Sequence, residues 1–112
     1  MQQLRNRISA GRAPHRLQQI TRTMPARDCK ISNKLGLHAR ASAKLTQLAA
    51  KYPCEVWMSR NGRRVNAKSI MGVMMLAAGK GAEVTIETIG EGANDALDAL
   101  ETLINNKFDE GQ

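Results

Sequence analysis

Gly36-Leu-His-Ala-Arg-Ala-Ser42 is the stretch of this 112-residue chain whose residue types could do chemistry. His38 stands where a loop gives way to a helical period, and Arg40 follows two residues later. Imidazole is both a competent nucleophile and a good leaving group, so a group placed on it is taken up and released readily. The opening amides of a helix lack internal acceptors and carry partial positive charge, which suits a phosphate. The planar fork of an arginine in that first turn adds bidentate donors. No acid lies between Asp28 and Glu55 along the chain to repel an incoming anion. The chemistry these residues could do is to carry a phosphoryl group on His38 beside the guanidinium of Arg40. On spacing alone the plainer reading stays open, that His38 is a cap or a surface residue.

Other chemistry finds fewer residues. No second His, Cys or Asp is spaced near His38 for a metal or a catalytic triad, and no nucleotide-cradling loop is present. No metal and no cofactor is expected, and any phosphoryl group must be delivered by another protein. The chain reads as a non-autonomous carrier rather than a free-standing enzyme. Cys29 and Cys54 have no metal-type spacing and fall at inward strand positions, so buried free thiols are expected, in keeping with a reducing, cytoplasmic setting.

The bulk numbers are those of one small globular domain, 42% apolar and 24% charged. No apolar run approaches the ~20 residues that span a bilayer. The net charge of +7 is uneven. Residues 1–28 hold Arg5, Arg7, Arg12, Arg16, Arg22 and Arg27 against Asp28 alone, whereas the remainder is nearly balanced. The basicity therefore belongs to a leader, residues 1–28, which reads as a disordered extension, with an ordered arm or a targeting segment as alternatives.

The elements that must position His38 follow from periodicity. Cys29–Asn33 alternates as a half-buried strand, and Gly36 permits an unusual loop turn. From Ala39, Leu45, Leu48, Ala49 and Tyr52 form one helical stripe, stopped by Pro53. Cys54–Arg60 and Arg63–Ala67 alternate about Asn61-Gly62, the strongest short hairpin signal. Ser69 can cap a short helix from Ile70 to about Ala77. Ala82–Thr88 is a fourth strand with Val84, Ile86 and Thr88 on one side. A last helix from Ala93 to about Lys107 carries Ala93, Ala96, Leu97, Leu100, Leu103, Ile104 and Phe108. The expected fold is α+β, of order β-α-β-β-α-β-α, with an antiparallel or mixed sheet covered by helices on one side, domain bounds 29–108 and a tail at 109–112. Glu55, Trp57, Glu83 and Glu87 should face water.

With these elements in place, Asn33-Lys-Leu-Gly-Leu-His-Ala-Arg40 and Asn66-Ala-Lys-Ser-Ile-Met71 resemble the histidine-containing phosphocarrier proteins (HPr) of the bacterial phosphoenolpyruvate phosphotransferase system. The similarity runs over nearly all of residues 28–108. The resemblance implies an open-faced β-sandwich, four antiparallel strands covered by three helices. It implies that enzyme I, charged by phosphoenolpyruvate, phosphorylates Nδ1 of His38, and that the group passes to a histidine of an EIIA-type protein. It makes Arg40 the phosphate-stabilising residue and Ser69 the position modified by HPr kinase/phosphorylase in many members. The chain departs from the family at Ala41, where many members have proline, and at Gly72, where larger side chains are common.

Ser69 reads from its position as an N-cap, and a phosphate there would also suit the helix dipole. The helix after it is apolar nearly all round, so part should be core and part an adaptable methionine surface. Leu37, Ile70 and Met71 are expected to form an apolar collar for partners, with Lys44 and Lys68 adding positive charge. Two rivals remain. One is a purely regulatory domain of the same fold without phosphotransfer. The other is a small basic nucleic-acid-binding module, which the scarcity of aromatic residues disfavours. No nucleic acid, no membrane insertion and a monomer are expected.

Overall fold

The computed structural model describes residues 25–110. The elements in chain order are β1 (Ala26–Lys30), α1 (Ala39–Ala50), β2 (Glu55–Arg60), β3 (Arg63–Asn66), α2 (Ile70–Met74), β4 (Glu83–Ile89), α3 (Ala93–Asn105) and a single turn at Lys107–Asp109. The sheet order is β1-β4-β2-β3, and every neighbouring pair is antiparallel. This is the order of elements that the pattern predicts, and the four-stranded antiparallel sheet with three helices that the resemblance implies.

Alternation decides which side of the sheet the helices cover. Register pairs Cys29 with Val84, Val56 with Thr88, and Met58 with Ile86. All six point inward and are buried. Helical Leu45, Ala49, Leu97, Leu100 and Ile104 close over them. Each large aliphatic side chain so buried contributes about 1.5–3 kcal/mol. Glu55 and Glu83 lie exposed on the opposite face, with Trp57 and Glu87 half-buried there. The Arg64 guanidinium stacks 4.2 Å over the Trp57 ring and donates to Glu87 at 2.9 Å. Asn61 and Gly62 both take positive φ, 52° and 83°, as a type I′ hairpin requires. Both cysteines are free and buried, in agreement with their inward positions.

Strand ends shift by a residue at several places, and three elements differ from the sequence expectation by more. The first strand begins at Ala26 rather than Cys29 and ends at Lys30, so residues 26–28 belong to the domain and not to a leader. Arg27 holds this strand to α3 through Asp98 at 2.8 Å and Glu101 at 2.7 Å. The reading of residues 1–24 lies outside the described residues. The second helix stops at Met74, and Ala77 beyond it turns left-handed at φ 51°. Arg60 and Arg63 from the hairpin donate to the carbonyls of Leu76 and Met75 at this frayed end, the favourable place for cations. The third helix stops at Asn105, because Lys107, Phe108 and Asp109 adopt φ of 55°, 55° and 62°. Phe108 therefore reaches the core, fully buried, from a reversed turn rather than from the helix.

Candidate functional site

The loop before α1 is built around Gly36. Its φ is +65°, and a Cβ there would lie 2.4 Å from the carbonyl oxygen of Ala78 and 2.7 Å from Cα of Gly79. Only glycine fits, since it has no Cβ and suffers no penalty at positive φ. The close approach lets the Leu37 amide donate to the Ala78 carbonyl at 2.9 Å. The buried Asn33 side chain donates its Nδ2 to the Gly36 carbonyl at 2.8 Å. Sequence spacing offered His38 as a possible helix cap, and it does occupy that position, with extended backbone (φ −76°, ψ 178°). Its side chain makes no capping hydrogen bond. The His38 carbonyl instead accepts from the Ser42 amide at 2.8 Å, closing the first helical turn. The amides of Ala39, Arg40 and Ala41 precede any internal acceptor, and no acid stands in that turn. Ala41 is fully buried in an intact helix start, so the absence of proline leaves the element unharmed. Arg40 is exposed and makes no ion pair among the described residues.

An acid absent from the local sequence arrives from the other end of the chain. Glu110 Oε2 lies 2.6 Å from Nε2 of His38, and its Oε1 accepts from Asn33 Nδ2 at 3.0 Å. Partial burial pushes the Glu110 carboxyl up. The hydrogen bonds from Asn33 and His38, with the charges of His38 and Lys44, outweigh that and hold it below its ordinary range. The turn that delivers Glu110 is costly. A left-handed backbone carries a penalty of about 1–2 kcal/mol for each residue with a Cβ. Buried Phe108 and the Lys44 ammonium, which donates to the Phe108 carbonyl at 2.8 Å, hold it in place. Such strain persists only where surrounding structure over-determines it. Glu110 is a site residue that sequence reasoning missed. It lies 72 residues from His38, in what reads as a tail, and no periodicity links the two.

The remaining sequence candidates fall in several places. Ser69 is exposed and caps α2, its Oγ accepting from the Gly72 amide at 3.1 Å. A side chain at Gly72 would put a Cβ 3.2 Å from the Asn66 carbonyl oxygen, so this glycine keeps the cap close. Ile70, Met71, Met74 and Met75 are 42%, 71%, 38% and 57% exposed, while Val73 and Leu76 of the same segment are buried. Two expectations are corrected. Leu37 is not part of an exposed collar, because its bond to Ala78 turns the side chain into the core at 6% exposure, and Leu35 is the exposed loop residue instead. Lys68 does not charge the His38 end of α1, because its ammonium donates to the Tyr52 carbonyl at 2.8 Å, past the opposite end of the helix. Twelve helical residues, about 18 Å by the rise per residue, separate the two ends. Lys44 does sit near the site, with its ammonium committed to Phe108. Among the described residues no group of three or more His, Cys, Asp or Glu could hold a metal. No helix there is long and apolar enough to cross a membrane.

A histidine at a helix start, an arginine in the first turn and an open-faced sheet behind them define a small phosphoryl-carrier architecture. A family model described as "PTS HPr component phosphorylation site" matches residues 25–106. The chain is 65% identical over 89 residues to the phosphocarrier protein HPr of Cupriavidus necator, covering 80% of this chain and all of that protein. The HPr crystal structure from Thermoanaerobacter tengcongensis superimposes with a TM-score of 0.75 at 40% identity, covering 77% of this chain and 97% of that one. The HPr of Bacillus anthracis gives 0.70 at 41% identity, covering 72% and 96%. The chain belongs to the HPr family, the phosphocarriers of the phosphotransferase system.

Proposed function

We propose that His38 is the residue on which this phosphocarrier holds its phosphoryl group and that Arg40 steadies the group there. The observation that carries the reading is the position of His38 itself. It caps α1 with an uncommitted Nδ1, beside amides without internal acceptors and an exposed guanidinium. The phosphate would arrive from enzyme I, charged by phosphoenolpyruvate, and leave for a histidine of an EIIA-type protein. Both partners would dock across the exposed apolar surface of Ile70, Met71, Met74 and Met75 with Leu35. Methionine adapts to more than one partner, which a carrier that must bind donor and acceptor in turn requires. The exposed Oγ of Ser69 is the site for HPr kinase/phosphorylase. A phosphate there would replace the cap and place negative charge beside the docking surface. The protein works as a cytoplasmic monomer.

The test is to incubate the full chain with phosphoenolpyruvate and a bacterial enzyme I and to measure intact mass. One added phosphoryl group is expected, lost on acid treatment as phosphohistidine is, and absent from His38→Ala. A folded wild-type protein that gains no mass, or a His38→Ala variant that gains it equally, refutes the assignment. The first result favours a regulatory domain acting through Ser69.

A further inference from the structure

We infer that Glu110 is a positioning residue for the phosphoryl transfer at His38, holding the ring by its Nε2–H so that Nδ1 is the atom presented to phosphorus. The inference rests on His38 being the phosphoryl acceptor. Its own ground is the geometry of three groups brought together from both ends of the domain. Glu110 Oε2 stands 2.6 Å from Nε2 of His38, and Oε1 stands 3.0 Å from Nδ2 of Asn33. Asn33 Nδ2 is shared between two acceptors, the Glu110 carboxylate and the Gly36 carbonyl, which fixes the orientation of its amide. An ionised carboxylate only accepts, and Glu110 is held ionised. The proton in the short bond to His38 therefore sits on Nε2. Nδ1 keeps its lone pair, and no group among the described residues occupies it.

The electron bookkeeping gives that bond a purpose. As the Nδ1 lone pair forms the new P–N bond, the bond from phosphorus to the donor breaks and its pair stays with the donor. The ring becomes an N-phosphoryl imidazolium, with Nε2–H intact and a positive charge that faces Glu110. On transfer the P–N pair returns to Nδ1, and the ring is again neutral with the same proton in the same place. No proton has to enter or leave through the whole cycle. Glu110 offsets the charge that appears on the ring each time, in a neighbourhood that also holds the Lys44 ammonium of α1.

The turn at 107–109 is what a positioning role requires. Three successive residues with side chains hold a left-handed backbone, fastened by buried Phe108 and by Lys44 on the same helix that carries His38. The ring and its carboxylate are thereby referred to one rigid element, α1.

The experiment compares Glu110→Ala and Glu110→Gln with the unmodified full chain, all confirmed folded by thermal melting. Steady-state transfer from phosphorylated enzyme I gives kcat and KM, and proton NMR reports the hydrogen-bonded Nε2–H. Alanine is expected to lower kcat about tenfold, the factor that one lost hydrogen bond of ordinary strength represents, with KM unchanged and the downfield Nε2–H resonance gone. Glutamine, which still accepts through its carbonyl oxygen, should restore the resonance and part of kcat. An alanine variant with wild-type kcat, or one altered in KM alone, overturns the inference. His38→Ala run in parallel separates this outcome from failure of the underlying assignment, since phosphorylation of that variant would remove the acceptor itself.

Discussion

Replacing Gly36 by alanine perturbs the site through one methyl group, and its effect can be worked out before it is made. Two costs arise. The backbone sits at φ +65°, where a residue with a Cβ is disfavoured by about 1 kcal/mol. The methyl would also lie 2.4 Å from the Ala78 oxygen and 2.7 Å from Gly79 Cα. Both atoms are backbone, so relief needs the loop or the segment after α2 to move, and overpacking of this kind costs about 1–3 kcal/mol. The sum is about 2–4 kcal/mol. Gly62→Ala supplies the control, because Gly62 has φ +83° and nothing within 4 Å of its would-be Cβ, so it carries only the first cost. Urea unfolding followed by circular dichroism reads both. With a slope of about 1–1.5 kcal/mol per molar for a domain of this size, Gly36→Ala should lower the midpoint by roughly 2 M and Gly62→Ala by less than 1 M. Phosphorylation by enzyme I should fall with Gly36→Ala and not with Gly62→Ala, since the His38 amide donates to the Gly36 carbonyl at 2.9 Å and moves with it. Equal midpoints for the two variants would show that the contact between loop and segment 78–79 is not tight, and the account of how the loop is held would fail.

Ser69→Ala removes the bond to the Gly72 amide and should cost about 1 kcal/mol, a melting shift of roughly 4–8 °C, while abolishing modification by HPr kinase/phosphorylase. The Glu110 carboxyl titrates below its ordinary value of 4.5 in the folded protein, so its contribution to stability is complete above that pH and is lost as pH falls through the lower folded value. Melting curves of wild type and Glu110→Gln should accordingly differ at neutral pH and converge in acid, and a gap that widens in acid would contradict the sign. Burial, with the charge of Glu101 adding to it, pushes the Cys29 thiol up to about 11, so alkylation at neutral pH should await unfolding. Rapid modification of the native protein would show that β1 opens readily.

The sheet, the three helices and the position of His38 were legible because each rests on a local signal. Alternation at Cys54, Val56 and Met58, the Asn61-Gly62 turn and the Ser69 cap are all written within a few residues. What escaped reading depends on distance or on loops. Glu110 meets His38 across 72 positions, and nothing short-range announces it. The stop of α3 at Asn105 carries no glycine or proline, since the left-handed turn after it is imposed by burial of Phe108. Leu35 and Leu37 are the same residue type two apart in a non-periodic loop, and only the bond to Ala78 decides which of them is core. Lys68 was a charge without an address until the Tyr52 carbonyl supplied one.

The strand order β1-β4-β2-β3 places a late strand between two early ones. During synthesis β1 emerges with no neighbour to pair with, and the β2–β3 hairpin is the only part of the sheet that can form early. The sheet closes when residues 83–89 leave the ribosome, and the carboxylate beside His38 arrives later still. Contacts of such long sequence separation slow folding, because loop-closure entropy is lost before the contacts compensate for it. A ribosome that stalls before α3 therefore releases a chain with an unfinished core and no Glu110. The setting of His38 is thus completed only once α3 and the turn at 107–109 have been made, after the strands of the sheet themselves.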